Sequence, residues 1–354
     1  MSIELLDCTL RDGGYINNWE FKDQQIINTI LLLDKANVEN IECGYLSDKN
    51  SFDKDSTRFN SIDSINNILQ PIKDKLLSKL FIMMDFGDYD LSKLKNNSVE
   101  NVVNNIRFAF HKKDLLNIYS DLKNIDDKGY KIFLQPMITS SYSNDELLRV
   151  IDYTNKLNLS ALYIVDSLGN MYFEELERLF LLMDNNLKPE IKIGFHAHNN
   201  LQLAYSNSIN LTKLVSNIIT STNRNIVIDS SITGLGRGGG NLKTELILSY
   251  LINNSYNIFP ILDLIDNDLQ SAFADKNLYQ ETLYTLSALR GCHPSYLKYF
   301  SEKKLSLSNI KSLIDSIDNE YLTNFTLKYA DSLIKKSSTF LSEREEINKN
   351  SLIK

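Results

Sequence analysis

Hydrophobic and polar positions alternate along the chain in two rhythms. Short β-branched or aromatic runs occupy residues 3–7, 40–43, 80–85, 105–110, 131–136, 161–166, 192–196 and 225–229. Between most of them lie segments whose apolar residues recur with helical spacing, at 22–36, 61–69, 114–128, 144–157, 172–183 and 201–216, with a last one from about 242. Repeated strand–helix units predict a parallel sheet, because a parallel pair needs a long crossover. Eight such units in about 250 residues fit a (β/α)8 TIM barrel. A doubly wound open sheet would instead place a glycine-rich phosphate turn after the first strand. Residues 7–14 here are acidic and lack that pattern.

The rhythm changes near Asn253. From residue 260 onward helical spacing dominates, at 261–274, 278–289, 307–316 and 321–336, and strand-like runs disappear. The expected organisation is a barrel over 1–255, a small helical domain over 256–340 and a frayed polar tail over 341–354.

Composition narrows the class. Of 354 residues 43% are hydrophobic, which excludes a disordered chain. The net charge of −7 makes the chain a poor nucleic-acid binder, and no such partner is expected, since Lys-Lys pairs are few and scattered and phosphate neutralisation needs clustered cations. No apolar stretch spans a bilayer, so no membrane partner is expected. Three cysteines, Cys8, Cys43 and Cys292, make an odd number and no Cys-x-x-Cys pair. That usage fits a reducing cytoplasm.

Three segments carry candidate chemistry. The first strand runs into Asp7-Cys-Thr-Leu-Arg-Asp-Gly-Gly, which would set Asp7, Thr9 and Arg11 on one face if the strand stayed extended. Arg11 and Asp12 would then stand at the C-terminal mouth of a barrel, where catalytic groups gather. Read alone, the motif is equally a surface ion pair before a glycine turn. The seventh strand ends His196-Ala-His198, and residues two apart on a strand point the same way, a chelating arrangement. Only four histidines are present, so the pair is more telling than two buried histidines satisfied by neighbours. After the eighth strand comes Gly234-Leu-Gly236-Arg-Gly238-Gly-Gly-Asn241, holding five of the chain's 13 glycines. Such a loop is either a plain flexible connection or a backbone cradle for an anionic group. Asp12, His196, His198 and Asn241 together form a mixed N/O donor set that suits Mn2+, Mg2+, Zn2+ or Fe2+. Few protein ligands leave positions open for substrate, as catalytic sites require.

Taken together, in this order on strands 1, 7 and 8, these motifs resemble the DRE-TIM metallolyase superfamily. Its members include 4-hydroxy-2-oxovalerate aldolase, 3-hydroxy-3-methylglutaryl-CoA lyase and 2-isopropylmalate synthase. The aldolase branch is the nearest: 161–171 resembles its strand-6 motif, 106–111 its strand 4, and the helical tail its C-terminal domain. The resemblance implies a divalent metal ion, Mn2+ or Mg2+, held by Asp12, His196 and His198 with Asn241 nearby. It implies that Arg11 faces the substrate's 2-oxo oxygen, that Ser167 and loop glycines Gly236 and Gly238 contact substrate, and that Glu42 supports Arg11. The implied reaction breaks or forms the C3–C4 bond of a 4-hydroxy-2-oxo acid through a pyruvate enolate held at the metal. Pyruvate and an aldehyde are then the small-molecule partners. A homo-oligomer and a partner dehydrogenase are compatible with the branch, and no motif indicates either.

Two positions depart from the pattern. The synthases carry a Glu where Gly14 stands, which disfavours them. The aldolases carry a basic His where Tyr15 stands, and a phenol, with a pKa of about 10, is a poor base unless its pKa is depressed. A nearby metal and Arg11 would do that; otherwise a water, Tyr284 or His293 from the helical tail takes the proton. The competing readings are an acyl-CoA-using Claisen-type lyase or synthase, a biotin-dependent carboxyltransferase, and a non-catalytic scaffold barrel. No CoA groove or biotinyl segment is visible, and a scaffold has no need of a convergent charged cluster.

Overall fold

The computed structural model describes residues 2–49, 54–217, 224–251, 256–273 and 278–336. Eight parallel strands close on themselves: β1 (Ile3–Asp7), β2 (Asn40–Leu46), β3 (Lys79–Asp85), β4 (Val103–Phe110), β5 (Lys131–Pro136), β6 (Ala161–Asp166), β7 (Lys192–Ala197) and β8 (Ile226–Ser230). Each pairs with the next, and β1 pairs with both β8 and β2, which completes a TIM barrel. A two-residue strand, Arg58–Phe59, adds to the outer end of β2. That end runs three residues past the expected one because Tyr45 and Leu46 find this second partner. Gly44 makes the bend possible: its φ is +152°, and a Cβ there would meet the Thr57 carbonyl oxygen at 2.1 Å.

Crossover helices cover the barrel. Asn144–Lys156 starts with a reciprocal cap, Ser143 accepting from the Glu146 N–H while Glu146 accepts from the Ser143 N–H. Its Leu147, Val150, Ile151 and Thr154 form the buried face. The barrel interior is filled by Leu6, Cys8, Phe81, Phe133, Ala161, Tyr163, Val165 and Val227. Gly194 makes room there, since a Cβ would meet the Tyr163 ring at 2.3 Å.

The chain divides into two compact units, Met1–Leu264 and Ile265–Lys354. The helix Phe259–Leu264, assigned from the sequence to the helical part, lies in the first unit, where it packs on Asp23–Lys35. The second unit contains helices Leu278–Arg290, Ser295–Glu302 and Leu307–Asp315. Ser295–Glu302 is a helix the periodicity does not announce, because Pro294 at its N-cap reads as a turn. The expected tail over 341–354 lies outside the described residues. No helix among the described residues is long and apolar enough to cross a membrane.

Candidate active site

Strand β1 stops at Asp7, where the pattern places its end. The Thr9 N–H bonds back to Asp7 Oδ1 at 2.9 Å, and this local turn starts the helical turn Thr9–Asp12. The strand does not stay extended past Asp7, so the condition for Asp7, Thr9 and Arg11 to share one strand face is not met. Consecutive Arg11 and Asp12 both project over the mouth and are 4% and 0% exposed. The Arg11 guanidinium binds Asp12 Oδ1 through Nη1, and its Nε donates to Glu42 Oε2 at 2.8 Å. Glu42 thus anchors the Arg11 guanidinium from β2.

The same Glu42 oxygen also accepts from Arg107 Nη1 on β4, at 2.8 Å. Arg107 continues to Asp229 on β8 through Nη2 and lies over the Tyr163 ring at 5.0 Å. Asp229 Oδ2 in turn pairs with His196 Nδ1 at 2.9 Å. A buried carboxylate on Nδ1 fixes the ring and leaves Nε2 directed at Asp12, 3.6 Å from its Oδ2. Arg107 and Asp229 received no role from the sequence. The available signal was a charge inside an apolar strand, which a barrel interior tolerates only when it is paired.

Cys8, Asp12 and His196 offer ligand atoms all within 4.8 Å of one another. His198 stands beside them, its ring centroid 5.2 Å from that of His196. Asn241 completes the group: its Nδ2 donates to Asp12 Oδ2 at 2.6 Å, while its buried Oδ1 has no protein partner. Burial opposes ionisation of Asp12, but Arg11, His196 and His198 together hold its carboxyl well below the usual range. Burial also lowers His198, to about 4, so it is neutral at pH 7 with a lone pair to give. Burial and Asp12 push the Cys8 thiol up, and it donates to the Ser230 carbonyl at 3.2 Å. A carboxylate, two imidazoles and an orphaned amide oxygen are the donor set a divalent cation needs, so the residues present fit the implied metal.

Arg11, His196 and His198 border a cavity also lined by Tyr15, Met83, Asp85, Gln135, Ser167 and Arg237. Ser167 Oγ accepts from the Ile138 N–H at 3.0 Å, which leaves its proton to donate. Gln135 is 2% exposed, and its Nε2 has no protein partner. Tyr15 packs edge-on to Trp19 at 4.6 Å, with the Arg237 guanidinium 4.1 Å from its ring centre. Burial raises the Tyr15 phenol despite Arg11 and Arg237, so in the protein alone the depressed base expected at this position is not formed. Trp19 also accounts for Gly14, since a Cβ there would meet the indole at 2.4 Å.

The glycine loop acts on its neighbours. A Cβ at Gly236 would meet Asn241 Nδ2 at 2.7 Å, and one at Gly238 would meet Asn200 Oδ1 at 2.7 Å. Gly236 is buried and Gly238 exposed, and Arg237 is the loop residue that lines the cavity. Gly240 has φ +80°, and a Cβ there would meet the Gly234 carbonyl at 2.2 Å. Gly240→Ala is expected to lower stability by about 1–3 kcal/mol and to pull Asn241 off Asp12. A urea titration and a metal titration of the variant check both effects. Tyr284 belongs to the second unit, in Leu278–Arg290, and is 61% exposed. His293, also in that unit, is exposed and accepts the Ser295 N–H through Nδ1.

The model of the family described as HMGL-like matches residues 2–264. A 4-hydroxy-2-oxovalerate aldolase of Pseudoalteromonas translucida is 23% identical over 310 residues, 85% of this chain and 86% of that protein. Another from Geobacillus genomosp. 3 is 26% identical over 271 residues, 74% of this chain and 75% of that protein. Among solved structures, the N-terminal domain of a putative aldolase from Bacteroides vulgatus aligns with TM-score 0.59 and 24% identity, covering 80% of this chain and 96% of that one. A hydroxymethylglutaryl-CoA lyase from Pseudomonas aeruginosa aligns with TM-score 0.62 and 14% identity, covering 81% and 98%. These structures share the barrel.

Proposed function

The chain belongs to the HMGL-like family, and on that footing we propose that it is a divalent-metal-dependent carbon–carbon lyase of the 4-hydroxy-2-oxovalerate aldolase type. The reaction is cleavage or formation of the C3–C4 bond of a 4-hydroxy-2-oxo acid, with pyruvate and an aldehyde as the small-molecule partners. The observation that carries it is the convergence of Arg11, Asp12, His196 and the orphaned Asn241 oxygen at the barrel mouth.

Asp12, His196, His198 and Asn241 would hold the metal, and the hard donors favour Mn2+ or Mg2+. When bound, the ion supplies Lewis-acid polarisation of the substrate's oxygens. The remaining work falls to the chain. Arg11 takes part in two ion pairs through Nη1 and Nε, and its Nη2 belongs to neither, so a rigid positive group is ready where charge develops on the 2-oxo oxygen. Ser167 donates to the substrate carboxylate. Glu42 and Asp229 hold Arg11 and His196 in place, so little reorganisation accompanies the reaction. The three cysteines are buried free thiols, which supports a cytoplasmic setting.

Metal-depleted protein incubated with pyruvate in D2O is the direct test, with the methyl signal followed by NMR. Exchange is expected only after Mn2+ or Mg2+ is added. His196→Ala should raise the metal concentration required by about 10-fold or more. Absence of exchange at any metal concentration would sink the pyruvate reading and favour an acyl-CoA substrate.

A further inference from the structure

Cleavage of a 4-hydroxy-2-oxo acid requires a base for the hydroxyl proton, and the residues bordering the cavity limit the choice. Its titratable groups other than arginines are Tyr15, Asp85, His196 and His198. His196 is fixed between Asp229 and Asp12, and both imidazoles belong to the metal donor set. Tyr15 is a buried phenol whose proton is held more tightly than usual. Asp85 remains, the one carboxylate among the described residues that line the cavity.

Topology places it well. The metal donors come from β7 and from the segments after β1, β7 and β8, and Ser167 follows β6. Asp85 is the last residue of β3, four strands from β7 in either direction around the closed barrel. A substrate whose carboxylate and 2-oxo group lie on the metal side must extend its C4 end across the mouth, toward β3. Met83, two residues earlier, lines the same wall and supplies apolar surface for the aldehyde portion.

We propose that Asp85 is the general base of this site, taking the proton from the substrate's 4-hydroxyl. The proposal rests on the aldolase reading. As Asp85 accepts the proton, the O–H electron pair becomes the second bond of the aldehyde carbonyl. The C3–C4 pair moves into the C2=C3 bond of the pyruvate enolate. Water protonates C3, and Asp85 returns its proton to solvent, so the reaction is neutral overall. In the synthetic direction Asp85 starts protonated and donates to the new alkoxide.

The environment suits a base. Burial raises the Asp85 carboxyl, the nearby Tyr45 hydroxyl, which donates to Asp88 Oδ2 at 2.9 Å, lowers it, Asp88 raises it, and Arg11 and Arg237 lower it. The net shift is upward, toward the working pH, as general-base efficiency favours. Tyr15 completes the titratable set around the carboxylate.

The test separates two partial reactions. Pyruvate methyl exchange needs enolisation but no 4-hydroxyl base, whereas cleavage of 4-hydroxy-2-oxovalerate needs both. Asp85→Asn is expected to cleave that acid about 100-fold or more slowly, while exchanging pyruvate protons at near the parent rate. Asp85→Ala should lose cleavage in the same way and regain part of it with added formate, which a purely structural role would not allow. Cleavage by Asp85→Asn within 10-fold of the parent overturns the proposal. So does loss of exchange together with cleavage, or failure of formate to rescue Asp85→Ala. Failure of the parent protein itself to exchange pyruvate protons would instead count against the aldolase reading, so the two failures are distinguishable.

Discussion

Replacing Arg107 with methionine is expected to destabilise the fold by about 3–5 kcal/mol, measured as a shift in the urea unfolding midpoint. Arg107 is fully buried and joins two fully or almost fully buried carboxylates, Glu42 and Asp229, across the barrel interior. Methionine fills much of the space and removes the charge. Glu42 would keep Arg11 as a partner, but Asp229 would keep only the His196 ring. An uncompensated carboxylate in a dry core is one of the few single changes with so large a penalty. Adding Asp229→Asn to Arg107→Met should therefore restore part of the loss, and a double-mutant cycle would show coupling between the two sites. An Arg107→Met variant within 1 kcal/mol of the parent, by the same titration, would mean that the carboxylates find other partners or water. Burial of this kind is poor value for stability, since an apolar core would serve as well. Its use is to hold Arg11 and His196 at fixed positions relative to Asp12.

That network also marks the limit of what could be read before folding. Strands β1, β5 and β6 end where periodicity places them, because each is a short run bounded by turn residues. Arg11, Asp12, His196, His198 and Asn241 converge because motifs at strand ends share one rim of a barrel. Residues inside strands were harder. Arg107 and Asp229 lie 122 positions apart, and no local pattern pairs them. Asp85 looked like an ordinary strand terminus, and its meaning comes only from the cavity it borders. Arg237 hid among five glycines. Alternation leaves open whether β1 stays extended as far as Arg11, because the hydrogen bond from the Thr9 N–H to Asp7 has no trace in the sequence pattern. In each case the missing information was a long-range partner or a backbone turn set by a side chain.

Arg11→Lys is expected to slow both pyruvate exchange and cleavage by roughly 100- to 1,000-fold at saturating Mn2+. Charge is conserved in this change, so its effect isolates geometry. The guanidinium serves Asp12 with Nη1 and Glu42 with Nε, and under the proposed reaction Nη2, used by neither pair, is the donor for substrate. A lysine ammonium is a single point on a flexible stem and cannot hold that planar fork. It can pair with Asp12 or with Glu42, and in either case the donor facing the 2-oxo oxygen loses its fixed position. Asp12 is steadied by Arg11 on one oxygen and Asn241 on the other, so metal affinity should fall as well, by about 10- to 100-fold. Running the assay at saturating Mn2+ removes that second effect and leaves the first. A variant that then exchanges pyruvate protons within 10-fold of the parent would show that positive charge alone suffices at this position. A variant that binds metal weakly yet remains slow when saturated would show that the fork, held by Glu42 from below, stabilises the developing oxyanion.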